Sequence, residues 1–313
     1  MSRKHEKYDR LIAFCKALPP TPTAVAYPCD QSSLQGAVDA ARLGLIAPIL
    51  IGPEARIKAT AAANDIDLAG TEIIDSPAPE TSAAVAVEQV RSGKAEALMK
   101  GSLHTDELMA AVVRRETGLR TRRRISHCFV MDVPNHADTL IVTDGAVNIF
   151  PTIEDKIDII QNAIDLTHAL QQKEARVAIL SAMETVNPKL QSTMDAAALC
   201  KMADRGQITG GLLDGPLALD NAISMEAAKI KKIDSPVAGR ANVLIAPDLE
   251  AGNMLAKSLS FLADADAAGI VLGARVPIIL TSRADSVTTR LASCAVAVLV
   301  AKWRHERSTA GGA

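Results

Sequence analysis

The chain has 313 residues, 48% of them hydrophobic and 22% charged, which is enough for a sizeable core and for two domains. Its formal net charge of −2 gives no basic field for nucleic acid, and one Trp, two Tyr and four Phe leave almost no inventory for stacking on bases. No uninterrupted apolar run reaches the length of a membrane span, and the charged start Met1–Ser2–Arg3–Lys4–His5–Glu6–Lys7 lacks an apolar leader core, so a cytoplasmic protein is expected.

In chain order, apolar β-type runs alternate with stretches of helical periodicity. Strands are expected over 24–27, 48–51, 72–75, 97–99, 128–133, 139–142, 177–180, 211–213, 243–246, 270–272 and 278–280. Helices are expected over 33–43, 54–63, 82–91, 106–115, 153–170, 190–203 and 222–231. The alternation predicts right-handed βαβ units and a mostly parallel α/β sheet. Between two of the strands, Pro134–Asn135–His136–Ala137–Asp138 is too short for a crossover helix and suits a hairpin. A second α/β domain is therefore placed over 125–269, and 1–124 with 270–313 forms a discontinuous first domain. The tail after Trp303, ending Ser308–Thr309–Ala310–Gly311–Gly312–Ala313, is expected to fray.

Four of the strands run into short loops of small, polar and charged residues. The carboxyl ends of parallel strands are where open α/β sheets bind ligands, so these exits are candidates for an anion site. They are Lys100–Gly101–Ser102–Leu103–His104–Thr105, Asp214–Gly215–Pro216, the stretch from Pro247 to Asn253, and Thr281–Ser282–Arg283–Ala284–Asp285. In the last, a helix beginning near Asp285 would offer its N–H groups and dipole to an anion, with Ser282 and Arg283 as further donors. Equally, Asp285 could be a helix cap and Arg283 a surface charge.

The same choice attaches to the other candidates. Ser102 or Thr105 could bind substrate or cap a helix starting near Asp106. Gly252–Asn253 opens a helix that puts Asn253 and Lys257 on one face, aimed at a ligand or simply solvated. Arg114, Arg115, Arg120, Arg122, Arg123 and Arg124 form a dense run, either a solvated face or a grip on several phosphates. The five cysteines are far apart with no C-x-x-C, and the histidines have no ligand spacing, which points to reduced structural thiols and to no metal.

Together these stretches resemble the phosphate acetyltransferase and phosphate butyryltransferase family. The resemblance is carried in order by the run from Lys100 to Leu108, by Ile125–Ser126–His127, by Thr143–Asp144–Gly145–Ala146–Val147–Asn148, and by Glu184–Thr185–Val186–Asn187–Pro188. It continues through 201–207, Asp214–Gly215–Pro216 on to Asp220–Asn221–Ala222, Gly252–Asn253 and 281–286. It implies reversible transfer of a short acyl group, acetyl or butyryl, between coenzyme A and inorganic phosphate, with coenzyme A as substrate and no cofactor. It also implies a two-domain α/β/α fold akin to the isocitrate and isopropylmalate dehydrogenases, an active site in the interdomain cleft and a homodimer.

The resemblance places Ser282 and Arg283 in the active site, with Asp285 as the nearest carboxylate. Lys100, Ser102, His104, Thr105, Asp214, Asn253, Lys257, Arg122 and Arg124 are the candidate substrate-binding residues. Many acetyl-specific members carry an Asp as base seven residues after the Ser, and here that position is Thr289, so Asp214 and Asp220 stand beside Asp285 as candidates. Two other readings stay open: a non-catalytic binder of coenzyme A or acyl phosphate, and an NAD(P)-dependent decarboxylating dehydrogenase of related fold. The second lacks a G-x-G-x-x-G loop.

Overall fold

The computed structural model of the protein describes residues 6–281 and 285–310. The elements in chain order begin with α1 (Glu6–Cys15), β1 (Thr21–Ala26), α2 (Gln31–Arg42), β2 (Ile46–Gly52), α3 (Glu54–Ala63), β3 (Glu72–Asp75), α4 (Pro79–Arg91), β4 (Ala97–Lys100) and α5 (Thr105–Val112). They continue with β5 (Ser126–Asp132), β6 (Leu140–Thr143), α6 (Ile153–Ala169), β7 (Ala175–Leu180), α7 (Gln191–Asp204), β8 (Gly211–Leu217), α8 (Leu219–Ile223) and α9 (Met225–Ile230). The last are β9 (Val243–Ile245), α10 (Leu249–Leu262), β10 (Asp266–Leu272), β11 (Ile278–Ile279) and α11 (Val287–Ala310). The expected α/β architecture with a mostly parallel sheet is present.

The chain divides into two compact units, one of Tyr8–Arg123 with the residues from Ala268 onward, the other of Arg124–Ala267 with Lys7. In the first, the strand order is β3-β2-β1-β4-β11-β10. The pairs β1–β2, β2–β3, β1–β4 and β4–β11 are parallel, and β10–β11 is antiparallel. Its β1 and β4 are buried almost throughout, as central strands of a sheet covered on both faces are. In the second unit the order is β5-β6-β9-β7-β8, with β5–β6 the antiparallel hairpin and the remaining pairs parallel. Its core gathers Met131, Val142, Leu180, Leu217, Val237 and Leu244 among others.

Several expected boundaries move, each for a local reason. Asp214–Gly215–Pro216 is not a loop: β8 runs through it to Leu217, which pairs with Leu180 of β7 after a shift in register near Ala178. The helix expected over 222–231 is two helices, because Ser224 is extended (φ −114, ψ 114) and its Oγ accepts the Ala227 N–H at 3.3 Å to cap α9. The helix α10 starts three residues before Gly252, capped by Asp248 Oδ1 on the Ala251 N–H at 2.9 Å. Neither Ser102 nor Thr105 caps α5: His104 precedes its first residue and gives its own N–H to Glu107 Oε2 at 2.6 Å. The helix α1 had no expected counterpart, and the tail after Trp303 stays helical to Ala310, with the Arg307 guanidinium 4.8 Å from the Trp303 ring one turn back.

Candidate active site

In the first unit the chain runs β1, β2, β3 outward to one edge and then returns to lay β4 on the other side of β1. That reversal makes the carboxyl ends of β1 and β4 the switch point, where the connecting loops diverge and leave room for a ligand. Two loops meet there. Tyr27 follows β1 with a positive φ of 56°, and its carbonyl accepts the Ser102 N–H and the Ser102 Oγ–H, each at 2.8 Å. The Cys29 N–H donates back to Ser102 Oγ at 3.2 Å. Gly101 allows the approach: a Cβ there would overlap the carbonyl oxygens of Ala26 and Tyr27.

Of the residues expected in this loop, Ser102 is therefore part of the scaffold that joins it to the β1 exit. Lys100 is buried at the end of β4, whereas His104 and Thr105 are exposed. Arg56 steadies Tyr27 from its other end, donating from Nη1 to the phenol oxygen at 3.0 Å with its guanidinium 5.6 Å from the ring. The strand β11 pairs with β4 through Ile279 and Met99, so its exit emerges beside Lys100. Thr281 and Asp285 at that exit are half-buried, while Ser282 and Arg283 lie outside the described residues.

The helix after this exit begins at Val287 rather than near Asp285, and Ser286 Oγ accepts the Thr289 N–H at 3.1 Å. Thr289, at the position where many family members carry the base, is buried with its hydroxyl 3.1 Å from Ser286 Oγ. Sequence reasoning passed over Arg290, which is 6% exposed in the first turn of α11 and donates from Nη1 to the Ser32 carbonyl of α2. Gly36 makes room for it, with a Cβ there falling 3.2 Å from Arg290 Cδ.

In the second unit, three stretches that carried the family resemblance converge. Asp144, 3% exposed after β6, accepts the N–H groups of Ala146, Val147, Asn148 and His127 at 2.8, 3.0, 3.3 and 3.2 Å. Gly252 lies against the Asp144 carbonyl, and Asn253 Nδ2 donates to the Gly145 carbonyl at 2.9 Å. Asn253 thus fastens the loop from within, while Lys257, expected beside it on a ligand-facing side, is exposed. His127 is buried, edge-on to Phe129 at 4.4 Å, and burial pushes its imidazole down to about 4 against the opposing pull of Asp144.

The other acidic candidates have local partners. Asp214, inside β8, accepts the Gly215 N–H at 2.8 Å, and Asp220 takes the Asn221 N–H at 2.9 Å with Lys231 Nζ at 3.6 Å. Glu184 joins that group, accepting from Asn221 Nδ2 and Lys231 Nζ, both at 3.2 Å, and the lysine bond holds its carboxyl below the usual range. At the carboxyl ends of β7 and β9 a cavity of about 660 Å³ is walled by Phe150, Leu180, Leu219 and Leu255 and by the buried ion pair Lys156–Asp195 at 2.7 Å. The arginine run divides between the units: Arg114, Arg115, Arg120 and Arg122 are exposed in the first, and Arg124 belongs to the second.

Burial raises every cysteine thiol. Cys29, nearest the switch point, is pushed up to about 11, and Cys15, Cys128, Cys200 and Cys294 to about 12. Burial thus favours the protonated thiol over the thiolate, the nucleophilic form, at all five positions. Among the described residues no group of three or more His, Cys, Asp or Glu could hold a metal ion.

Residues 79–298 match the family model described as phosphate acetyl/butaryl transferase. The chain belongs to that family, one of acyltransferase enzymes. It is 64% identical over 304 residues to the phosphate acetyltransferase of Rhizobium meliloti, covering 97% of this chain and 96% of that one. It is 40% identical over 296 residues to the phosphate butyryltransferase of Clostridium beijerinckii, covering 95% and 98%. Among solved structures, a branched-chain phosphotransacylase from Enterococcus faecalis V583 superposes with a TM-score of 0.79 at 28% identity over 90% of this chain and 99% of that one. A 4-hydroxythreonine-4-phosphate dehydrogenase from Burkholderia phymatum, at 14% identity and a TM-score of 0.55 over 90% and 98%, shares the fold alone.

Proposed function

We propose that the protein transfers a short acyl group, acetyl in the first instance, reversibly between coenzyme A and inorganic phosphate. The observation that carries this reading is 64% identity, over almost the whole of both chains, to a protein named phosphate acetyltransferase. In the direction of acyl-coenzyme A synthesis, a base takes the proton of the coenzyme A thiol, worth roughly 10²–10⁴-fold in rate. The thiolate attacks the acyl-phosphate carbonyl, the carbonyl oxygen gains negative charge, and the C–O bond to phosphate breaks with phosphate leaving as the anion. Arg283 and Ser282 are proposed to stabilise the oxyanion and the departing phosphate. Asp285 is proposed as the base, with Asp214 and Asp220 the alternatives. The high cysteine pKa values support direct transfer over an acyl-cysteine intermediate.

Lys100, His104, Thr105, Lys257, Arg122 and Arg124 remain proposed contacts for the anionic substrates, while Ser102 and Asn253 are proposed to shape the loops that carry them. Location in the cytoplasm, independence of any cofactor and a homodimer belong to the same reading. The homodimer is supported by Met254, Phe261 and Leu262, all exposed on α10, with Ile149 and Phe150 exposed at its N-terminal end. The test is an assay with acetyl-, propionyl- and butyryl-phosphate side by side, following phosphate release that depends on coenzyme A. Binding of coenzyme A without turnover would leave only a binding protein. Arg283→Lys, which keeps the charge and loses the planar fork, is expected to cut kcat by two orders of magnitude or more.

A further inference from the structure

Arg124 is fixed at its main chain and at Nε. Its backbone N–H donates to Asp158 Oδ2 at 2.7 Å, and its carbonyl accepts from Asn162 Nδ2 at 2.9 Å, which ties the main chain to α6. Its Nε–H donates to Asn148 Oδ1 at 2.8 Å, and Asp155 Oδ1 lies 3.3 Å from Nη1. The Asn148 amide cannot turn around, because its Nδ2 already serves two acceptors, Asp144 Oδ2 at 2.6 Å and the Ile125 carbonyl at 2.9 Å. Asp144 in turn is fixed by the four backbone N–H groups already described.

The side chain is hydrogen-bonded at Nε, with Asp155 an ion-pair neighbour of Nη1, and the guanidinium is 53% exposed. Its Nη1/Nη2 end is the one that matches a phosphate in bidentate fashion. We infer that Asn148 and Asp144 are positioning residues for Arg124: the buried carboxylate fixes the amide, the amide fixes Nε, and the outer end of the guanidinium is held ready for a phosphate group of coenzyme A. The inference rests on the reading of Arg124 as a contact for coenzyme A. Pre-ordering a long side chain removes a cost of binding worth up to roughly tenfold in affinity.

The test measures kcat and the KM for coenzyme A, at saturating acyl phosphate, in Arg124→Gln, Asn148→Ala and the double variant. Each single change is expected to raise that KM about tenfold with kcat within twofold, and the double variant to be no worse than Arg124→Gln alone. An equal rise from Asn148→Ala in both backgrounds, or a fall in kcat at unchanged KM, would overturn the positioning role. An unchanged KM in Arg124→Gln would instead remove Arg124 from the binding site, and the inference with it. If Asn148→Ala does not fold, the native protein decides. The Arg124 Nε–H signal, assigned by its loss in Arg124→Gln, is then expected as a distinct, slowly exchanging ¹⁵N–¹H peak, and exchange as fast as that of exposed arginines overturns the inference.

Discussion

The loops at the β1 and β4 exits and the loop after β6 both shape candidate substrate contacts, but they are built on opposite plans. At the β1/β4 switch point the backbone holds the structure: the Tyr27 carbonyl takes three donors, and Gly101 passes where no side chain fits. After β6 one buried side chain, Asp144, gathers three N–H groups of the loop that follows it. The first plan depends on a missing atom and the second on a charge, so they should fail differently.

The largest effect is expected at Gly101. A Val there would drive its Cβ into the Ala26 and Tyr27 carbonyls, neither of which can withdraw without breaking β1 or the Ser102 bonds. Gly101→Val is expected to lose about 4 kcal/mol or more of stability, read as a shift of the urea midpoint at constant m. A loss below about 1 kcal/mol would show that the two loops move apart readily and that the backbone plan is wrong.

Asp144 should respond in grades, because its acceptors can be removed in part. Asp144→Ala strands buried donors and is expected to cost about 3 kcal/mol, whereas Asp144→Asn keeps one acceptor oxygen and is expected to cost roughly half as much. Equal losses in the two variants would mean that shape, and not accepted hydrogen bonds, holds the loop.

The same contrast explains what the sequence revealed. Strands such as Glu72–Asp75 and helices such as Glu54–Ala63 were legible because periodicity and short-range turn chemistry are local. The Asp–Gly–Pro stretch misled for that very reason: it has the chemistry of a turn, and only its long-range pairing with β7 keeps it a strand. The start of α10 was misread at Gly252, although Asp248 three residues before Ala251 carries a capping signal. In the site, Ser102 was legible as a residue of the right loop but not as one facing Tyr27, 75 positions away. Asp144 was visible only inside a stretch resembling the family. Its setting, an acid followed by Gly and small residues, is the local signature of a carboxylate gathering backbone N–H groups, and that signal could have found it. Arg124 meets Asn148 across 24 positions, a pairing that no single-sequence pattern encodes.

The smallest effect separates the plans by pH. His127 gives its backbone N–H to Asp144 while its own ring is buried and neutral, with Nδ1 unpartnered and the imidazole held down to about 4. In the unfolded chain the same ring titrates near 6.5, so between these values the unfolded state binds the extra proton and stability rises with pH. The contribution is complete above about pH 6.5 and is lost as the pH falls toward 4, amounting to about 1 kcal/mol by pH 5.5. His127→Phe keeps a ring edge-on to Phe129 and removes the titration, so its unfolding midpoint should fall less steeply than that of the native protein between pH 7 and 5. Parallel curves would assign the acid sensitivity to other groups and leave the charge-centred loop no more responsive to pH than the backbone-centred one.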